Sequence, residues 1–87
     1  MFNVLIKKKI EKQLKKLLLN VKQLFMLLVC DIEKTGAIQY KWKNYSKIGN
    51  NEHHCHLTYN YVACWREIND KISIEVYYVG SREKAPY

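Results

Sequence analysis

The stretch that decides the fold, residues 53–87, reads HHCHLTYNYVACWREINDKISIEVYYVGSREKAPY. Apolar and polar side chains alternate along it with the two-residue period of β-strands. The alternation predicts three consecutive strands, at 52–58, 61–68 and 71–79, and Asn69-Asp70 is typical of a two-residue turn between the last two. We therefore expect an antiparallel meander in this part of the chain.

The last strand predicts a sheet with one covered face. Its alternation separates two sets of side chains, Ile72, Ile74 and Val76 on one face and Ser73, Glu75 and Tyr77 on the other. An apolar face of this kind packs under helices, while the opposite face stays open.

Upstream of the meander, the pattern predicts one strand and a first helix. Residues 1–6 (MFNVLI) form a short apolar run suited to a strand. From residue 7 the period becomes helical, because apolar residues recur at i, i+4, i+7 and i+8 among many lysines. The apolar stripe consists of Ile10, Leu14, Leu17 and Leu18.

A second helix follows directly. Asn20 is suited to its N-cap, with Gln23 in the reciprocal position of a capping box, and Gly36 to the residue just past its end. Its apolar residues exceed what one sheet contact needs. The surplus indicates either deeper burial or a groove for a partner segment.

The connection at 37–51 is polar and carries lysines interleaved with aromatic residues. Lys41, Lys43 and Lys47 are candidate RNA-binding residues, since ammonium groups meet phosphates and neighbouring rings stack on bases. Trp42 and Tyr45 are equally suited to anchoring the loop on the core.

Composition limits the class of protein. The length of 87 residues predicts one domain, 1–87. Hydrophobic residues make up 48% of the chain, which is too many for a disordered protein. A net charge of +7 favours acidic partners such as nucleic acid, although a solvated lysine face is the alternative.

Three cysteines without CxxC spacing, and the lack of a secretory signal, predict a cytoplasmic protein. The most apolar stretch, 17–30, is too short to cross a bilayer.

Two histidines are the candidates for chemistry. Alternation places His54 and His56 together on the open face and directs Cys55 and Leu57 to the core. Imidazoles with pKa values near neutrality are suited to moving protons. Solvated surface histidines are the first alternative and a metal site is the second, but zinc-type ligand spacing is absent, so we expect no metal and no cofactor.

The sequence permits two pairings of the strands in the hairpin after His56. A two-residue loop, Tyr59-Asn60, sets Cys55 opposite Cys64, whereas a three-residue loop, 59–61, sets His56 opposite Cys64 and His54 opposite Arg66. The longer loop is favoured because it sends Ala63 and Trp65 to the core and Arg66 to the open face, where Arg66 becomes a further candidate RNA-binding residue.

The order of elements resembles a known family of toxins. Strand, two-helix hairpin and three-stranded antiparallel meander, with the segments KNYSKIG, HHCHL, YVACW and VYYVGSREKAPY, are similar to the RelE/ParE toxins of bacterial type II toxin–antitoxin systems. The resemblance spans nearly the whole chain and is most specific in its second half. It implies an α+β toxin fold.

What the resemblance implies for function is a ribosome-dependent endoribonuclease. Such an enzyme cuts mRNA without metal, by attack of a ribose 2′-OH on the adjacent phosphate, inhibits translation, and is held by a cognate antitoxin in a hetero-oligomer. His54 and His56 stand where two strand lysines are found in RelE, Arg82 matches the arginine of the VGxRE segment, and Tyr87 matches the tyrosine near its end. These four are the predicted catalytic residues.

One position departs from the family pattern. RelE has an arginine early in the strand after the hairpin, where this chain has Val62. Two alternatives to cleavage therefore stay open: a ParE-like gyrase inhibitor, which needs no catalytic residues, and a catalytically decayed toxin that only binds RNA or antitoxin.

Overall fold

A computed structural model describes residues 1–70 and 72–87. It contains two helices, five strands and a final 3-10 turn. Their bounds are β1 Asn3–Ile6, α1 Lys8–Lys15, α2 Leu19–Thr35, β2 Ser46–Lys47, β3 Glu52–His56, β4 Tyr61–Glu67, β5 Ser73–Ser81 and the 3-10 turn Arg82–Lys84. The strands form one sheet in the order β1-β5-β4-β3-β2, in which β1 runs parallel to β5 and the other neighbours are antiparallel.

The predicted α+β class is confirmed, with one strand more than the sequence predicted. The connection at 37–51 contains the short edge strand β2, whose Ser46 pairs with His54 and whose Lys47 pairs with His53. Asn44, in the left-handed region with φ 54, reverses the chain just before β2. Asparagine tolerates this conformation better than most residues, which lets the loop fold back onto β3.

The sheet has a core face and a second face. We call the second face, which carries His54, His56, Val62 and Cys64, the histidine face. Residues on the core face join residues from both helices in one apolar cluster. From the sheet this cluster takes Cys55, Leu57, Ala63, Trp65, Ile74, Val76 and Val79. Trp65 also donates a 2.9 Å hydrogen bond from Nε1 to the carbonyl of Ala37, which satisfies both buried groups. The prediction of one face packed under helices is therefore confirmed.

Two details of the helices differ from the sequence predictions. Ile10 is buried in the core and Leu14 and Leu17 pack against it, but Leu18 is 60% exposed. Leu18, in an extended conformation, is the N-cap of α2, so the predicted N-cap at Asn20 was wrong and Asn20 lies in the first helical turn. The chain turns earlier than expected, and Leu17, which packs against the core, immediately precedes the N-cap.

The end of α2 agrees with the prediction. Gly36 has φ 95, and its N–H donates to the carbonyl of Ile32 at 2.8 Å. A Cβ at this position would lie 2.9 Å from Cζ of Phe2. Glycine is needed here both for the backbone conformation and for the close approach of the Phe2 ring.

The surplus apolar surface of α2 is only partly buried. Its inner side contributes Val21, Phe25, Leu28, Val29 and Ile32 to the core. On its outer side Leu19, Met26 and Leu27 are 70%, 53% and 58% exposed. We call these three residues the outer stripe of α2. They repeat at helical spacing and form one exposed apolar surface.

In the β3–β4 hairpin the side chains of β4 face the sides that were predicted, but the residues paired across the two strands are different. Ala63 and Trp65 lie on the core face, as expected for the longer loop. The observed pairs are His56 with Val62, His54 with Cys64, and Glu52 with Arg66, so both registers considered from the sequence were wrong. Leu57 and Thr58 donate backbone hydrogen bonds to the carbonyl of Tyr61, which closes the turn earlier than expected.

The connection between β4 and β5 is longer than the predicted two-residue turn. Asp70 Oδ1 accepts hydrogen bonds from the backbone N–H groups of Ile72 and Ser73, at 3.1 and 2.8 Å. This side-chain turn delays the start of β5 to Ser73 and leaves Ile72 exposed, against its predicted place on the covered face. The predicted first residue of the strand, Lys71, lies outside the described residues.

A β-bulge half-way along β5 shifts the alternation of its side chains by one residue. Trp65 pairs with Val76 and Cys64 with Tyr78, which makes Tyr77 the extra residue. Ile74 and Val76 lie in the core as predicted, and after the bulge Val79 lies on the same face.

Across residues 1–70 and 72–87, no helix has the length and apolar character needed to span a membrane.

Candidate active site

The two histidines of β3 lie side by side on the histidine face. Their ring centroids are 5.9 Å apart, and the rings are inclined at 60°. The predicted pairing on one face is confirmed, but the face is not open at this point. His54 and His56 are only 8% and 9% exposed, so both side chains are largely shielded from solvent.

The loop before β3 holds this pair in position. Ser46 Oγ lies 3.0 Å from Nδ1 of His54. The backbone N–H of His56 donates a 2.8 Å hydrogen bond to the carbonyl of Lys43. The fold therefore fixes the pair from the edge strand β2, which the sequence did not predict.

Arg82 begins the 3-10 turn that follows β5. Its backbone N–H donates to the carbonyl of Asn60 at 2.8 Å, which ties this turn to the β3–β4 loop. The carbon of its guanidinium group lies 5.1 Å from the centroid of the Tyr59 ring. The exposed guanidinium group thus rests against an aromatic ring with its donors available to solvent.

Tyr87 packs against His54 from the segment after the 3-10 turn. Its ring centroid lies 4.4 Å from that of His54. Of the four predicted catalytic residues, His54 therefore contacts His56 and Tyr87, and Arg82 lies close enough to His56 for its charge to act on that ring. Two of the four come from β3 and two from the last six residues of the sequence.

This geometry permits a comparison with solved structures. The chain superimposes on the isolated RelE toxin of E. coli with a TM-score of 0.76 and 16% identity, over 99% of this chain and 89% of that chain. It has the RelE toxin fold. No protein-family model and no curated protein matches the chain, so the likeness is one of structure.

Two further solved structures are also similar to the chain. The archaeal RelE–RelB complex from Pyrococcus horikoshii OT3 matches with a TM-score of 0.74 and 16% identity, over 97% of this chain and 98% of that chain. A metal-bound toxin from Helicobacter pylori matches with a TM-score of 0.69 and 20% identity, over the same shares. In the part of this chain that the structure describes, no three His, Cys, Asp or Glu side chains are grouped to hold a metal ion.

Within this RelE fold, the surroundings of the pair disfavour the imidazolium form. Burial lowers the pKa of His54, against an opposing hydrogen bond with the Ser46 backbone. Burial also lowers the pKa of His56, and the positive charges of His54, Arg82 and Lys43 lower it further. Both rings are therefore held more strongly in the neutral form than free histidine would be.

The two residues paired with the histidines on the neighbouring strand are chemically unreactive. Val62 and Cys64, opposite His56 and His54 on β4, are fully buried. Burial raises the pKa of the Cys64 thiol to about 12, so this sulfur stays protonated and is a poor nucleophile at neutral pH. The predicted catalytic groups at this position are therefore the imidazoles, the guanidinium group and the phenol, and not the Cys64 thiol.

The predicted RNA-binding residues separate into different places. Lys43 contributes positive charge next to His56. Arg66 lies on the histidine face further along β4, with its guanidinium carbon 4.1 Å from the Tyr77 ring centroid and Nε 3.8 Å from Glu75. Lys47 lines a cavity with His53 and Glu67, and Lys41 lines another near the end of α2. Of these four residues, the structure brings Lys43 to the pair.

Two aromatic residues of the same loop are anchors, as one of the alternatives held. Trp42 donates from Nε1 to Oδ2 of Asp31 at 2.8 Å and packs against the core. Tyr45 lies with its hydroxyl 2.6 Å from Nδ1 of His53, whose Nε2 is 3.1 Å from Glu67. This chain of contacts fixes the loop that carries Lys43 and Ser46.

The residue that the sequence prediction missed is Ser46. It belongs to a two-residue strand, and so short an element leaves no periodic signal. Only its pairing with His54 reveals its place beside the imidazole.

Proposed function

We propose that the chain is the toxin of a toxin–antitoxin system, a ribosome-dependent endoribonuclease that cleaves mRNA and so inhibits translation. The observation that carries the proposal is the convergence of two buried imidazoles, Arg82 and Tyr87 on one face of a RelE fold. The protein acts in the cytoplasm, where ribosomes and mRNA are found.

The proposed reaction transfers a phosphoryl group within the RNA. One histidine takes the proton of a ribose 2′-OH as its oxygen attacks the adjacent phosphorus, and the 5′ oxygen leaves with a proton from a general acid. The products are a 2′,3′-cyclic phosphate and a free 5′-OH. Arg82 offers its fork of donors to the phosphate oxygens as charge accumulates there, and Tyr87 orients or stacks on the substrate.

Two features set this proposal above its alternatives. A gyrase inhibitor has no use for a buried pair of imidazoles beside an arginine. A module that only binds RNA has no need of neutral histidines, since cationic side chains serve that purpose better. Val62 removes one arginine of the RelE pattern, but Arg82 and Lys43 supply positive charge next to His56.

The test is cleavage of a defined mRNA in a cell-free translation reaction, with the new ends mapped by primer extension. We expect ribosome-dependent ends with the natural chain and a loss of at least about a hundredfold in Arg82→Ala. Lys84→Ala, an exposed cation of the same 3-10 turn, is the matched control and should retain cleavage. Intact mRNA with continued translation would refute the proposal, and a DNA supercoiling assay would then test the gyrase alternative.

We further propose that the antitoxin binds the outer stripe of α2 through an acidic amphipathic helix. The stripe is exposed and apolar, Lys22 lines a groove together with its members Met26 and Leu27, and Lys15 and Lys16 precede it in the chain. Apolar contact and complementary charge together favour such a helix. The RelE–RelB complex shows that a protein of this fold is found with a partner.

The partner test uses the product of the neighbouring reading frame, co-expressed with the toxin. Leu27→Lys should abolish its co-purification, because a charge replaces a central apolar contact. Asn50→Lys adds the same charge at an exposed position outside the stripe and should leave binding intact. Equal binding by both variants would exclude the outer stripe as the contact surface.

A further inference from the structure

Buried imidazoles differ according to which ring nitrogen carries the proton, and the surroundings of Nδ1 differ between His54 and His56. Nδ1 of His54 faces Ser46 Oγ at 3.0 Å. In the part of the chain that the structure describes, the buried Nδ1 of His56 has no hydrogen-bond partner. Because a ring nitrogen is protonated where a neighbouring group accepts the proton, the two rings face different constraints.

For His54, the contacts favour a proton on Nδ1. Ser46 Oγ is the polar atom that the structure places at hydrogen-bond distance from Nδ1 of His54, and the Ser46 backbone raises the pKa of His54 against the effect of burial, as an acceptor close to the ring does. A serine hydroxyl at 3.0 Å accepts equally well by rotating its own hydrogen away. With Nδ1 occupied in this way, the lone pair of neutral His54 lies on Nε2.

For His56, the contacts favour a bare Nδ1. A buried N–H without an acceptor is the rarer and more costly of the two unsatisfied states. The neutral ring therefore carries its hydrogen on Nε2. Adding a second proton would place an N–H in this buried position next to the charges of Arg82 and Lys43, which is why these cations also lower the pKa of His56.

We propose that the two histidines have opposite tautomers and separate tasks: His54, with Nδ1–H held by Ser46, is the general base, and His56 remains neutral and donates Nε2–H to the phosphate. This assignment rests on the proposed function, since it names the groups that act in the cleavage. Ser46 is then a positioning residue, acting on the substrate only through His54.

The two tasks fit one transition state. Nε2 of His54 accepts the proton of the 2′-OH and becomes imidazolium, stabilised at Nδ1–H by Ser46. His56 keeps its proton and adds a neutral donor to the cationic donors of Arg82 at the phosphate oxygens. As its bond to phosphorus breaks, the 5′ oxygen takes a proton from a water molecule, which acts as the general acid, and the His54 imidazolium then returns its proton to solvent, so that both rings end the cycle neutral. The groups that face the pair are Lys43 from the loop, Cys64 from β4, Tyr78 from β5, Arg82 and Tyr87.

Imidazole ¹⁵N NMR of the free protein measures the tautomers directly. At pH 8 we expect His54 to show a protonated Nδ1 and His56 a protonated Nε2. On acidification His54 should take up its second proton at a higher pH than His56. Ser46→Ala should lower the population of Nδ1–H on His54 and shift its titration to lower pH. Ser73→Ala removes a hydroxyl that contacts Asp70 and should leave both histidine spectra unchanged.

Cleavage assays separate the two tasks. His54→Gln removes the base and should reduce the rate by about a hundredfold or more. In His56→Gln the side-chain amide replaces the neutral Nε2–H donor, and we expect at least about a tenth of the rate to remain. In Ser46→Ala the acid limb of the pH–rate profile should move to lower pH together with the NMR titration of His54.

The outcomes distinguish this inference from the proposed function. The same tautomer on both rings, or His56→Gln as damaging as His54→Gln in a cleaving protein, would overturn the inference while the proposed function stands. If the NMR shows opposite tautomers but no preparation cleaves mRNA, the proposed function fails, and the assignment of tasks fails with it.

Discussion

At the scale of single residues, the burial of His54 and His56 links the stability of the fold to pH. The pKa of each is lowered from the ordinary value of 6.5, chiefly by burial. A group whose pKa is lower in the folded chain than in the unfolded chain stabilises the fold above the unfolded pKa. That contribution is lost as the pH falls, because the unfolded histidines take up protons first.

We predict that the free energy of unfolding falls as the pH is lowered from about 6.5 and that the pair accounts for part of this slope. The measurement is urea unfolding at a series of pH values. The double variant His54→Gln, His56→Gln should show a shallower slope below pH ~6.5, because neither glutamine titrates. The same slope in the natural chain and the double variant would mean that the pair is not responsible.

The sequence supported the site to a different extent at each residue. Strand alternation placed His54 and His56 on one face, and the family resemblance indicated Arg82 and Tyr87. Burial of the histidines was not predictable, because residues that contact His54, such as Tyr87 and Ser46, meet β3 only in the folded chain. The roles of all four residues remain a prediction.

At the scale of elements, the end of α2 depends on one glycine. Gly36 combines φ 95 with the close approach of Phe2. We predict that Gly36→Ala lowers the free energy of unfolding by about 1–3 kcal/mol, because the new Cβ meets both a strained backbone and the Phe2 ring. Chemical denaturation measures the change.

Gly49 supplies the control for this prediction. A Cβ there would meet Glu52 at an ordinary 3.6 Å. We expect Gly49→Ala to change the free energy of unfolding by no more than about 0.5 kcal/mol. A loss in Gly49→Ala as large as in Gly36→Ala would show that strain at Gly36 is not the cause.

The elements that the sequence predicted well are those with long periodic patterns. Both helices and the three long strands have enough turns or alternations to show their period. Where sequence reasoning failed, the deciding contact was tertiary: Ser46 pairs with His54 across the sheet edge, and Leu17 packs on the core ahead of Asn20. The bulge at Tyr77 is a partial exception, since the spacing of Val76 and Val79 breaks the alternation in the sequence itself.

At the scale of the whole molecule, charge governs how the protein meets its proposed target. The net charge of +7 attracts polyanions over a long range, and every contact between a cation and a phosphate releases counterions. Contributions differ by position. Lys43 adds its charge next to His56, whereas Lys12 is exposed on α1, which packs over the other face of the sheet.

We predict that Lys43 contacts a phosphate in the ribosome-bound state and that Lys12 does not. Co-sedimentation with ribosomes across a series of salt concentrations measures this, as the slope of log affinity against log salt. Lys43→Ala should reduce the slope by about one, and Lys12→Ala should leave it unchanged because it removes the same charge without removing a contact. If both substitutions reduce the slope equally, net charge alone drives binding, and Lys43 has no place at the site beyond its contribution to that charge.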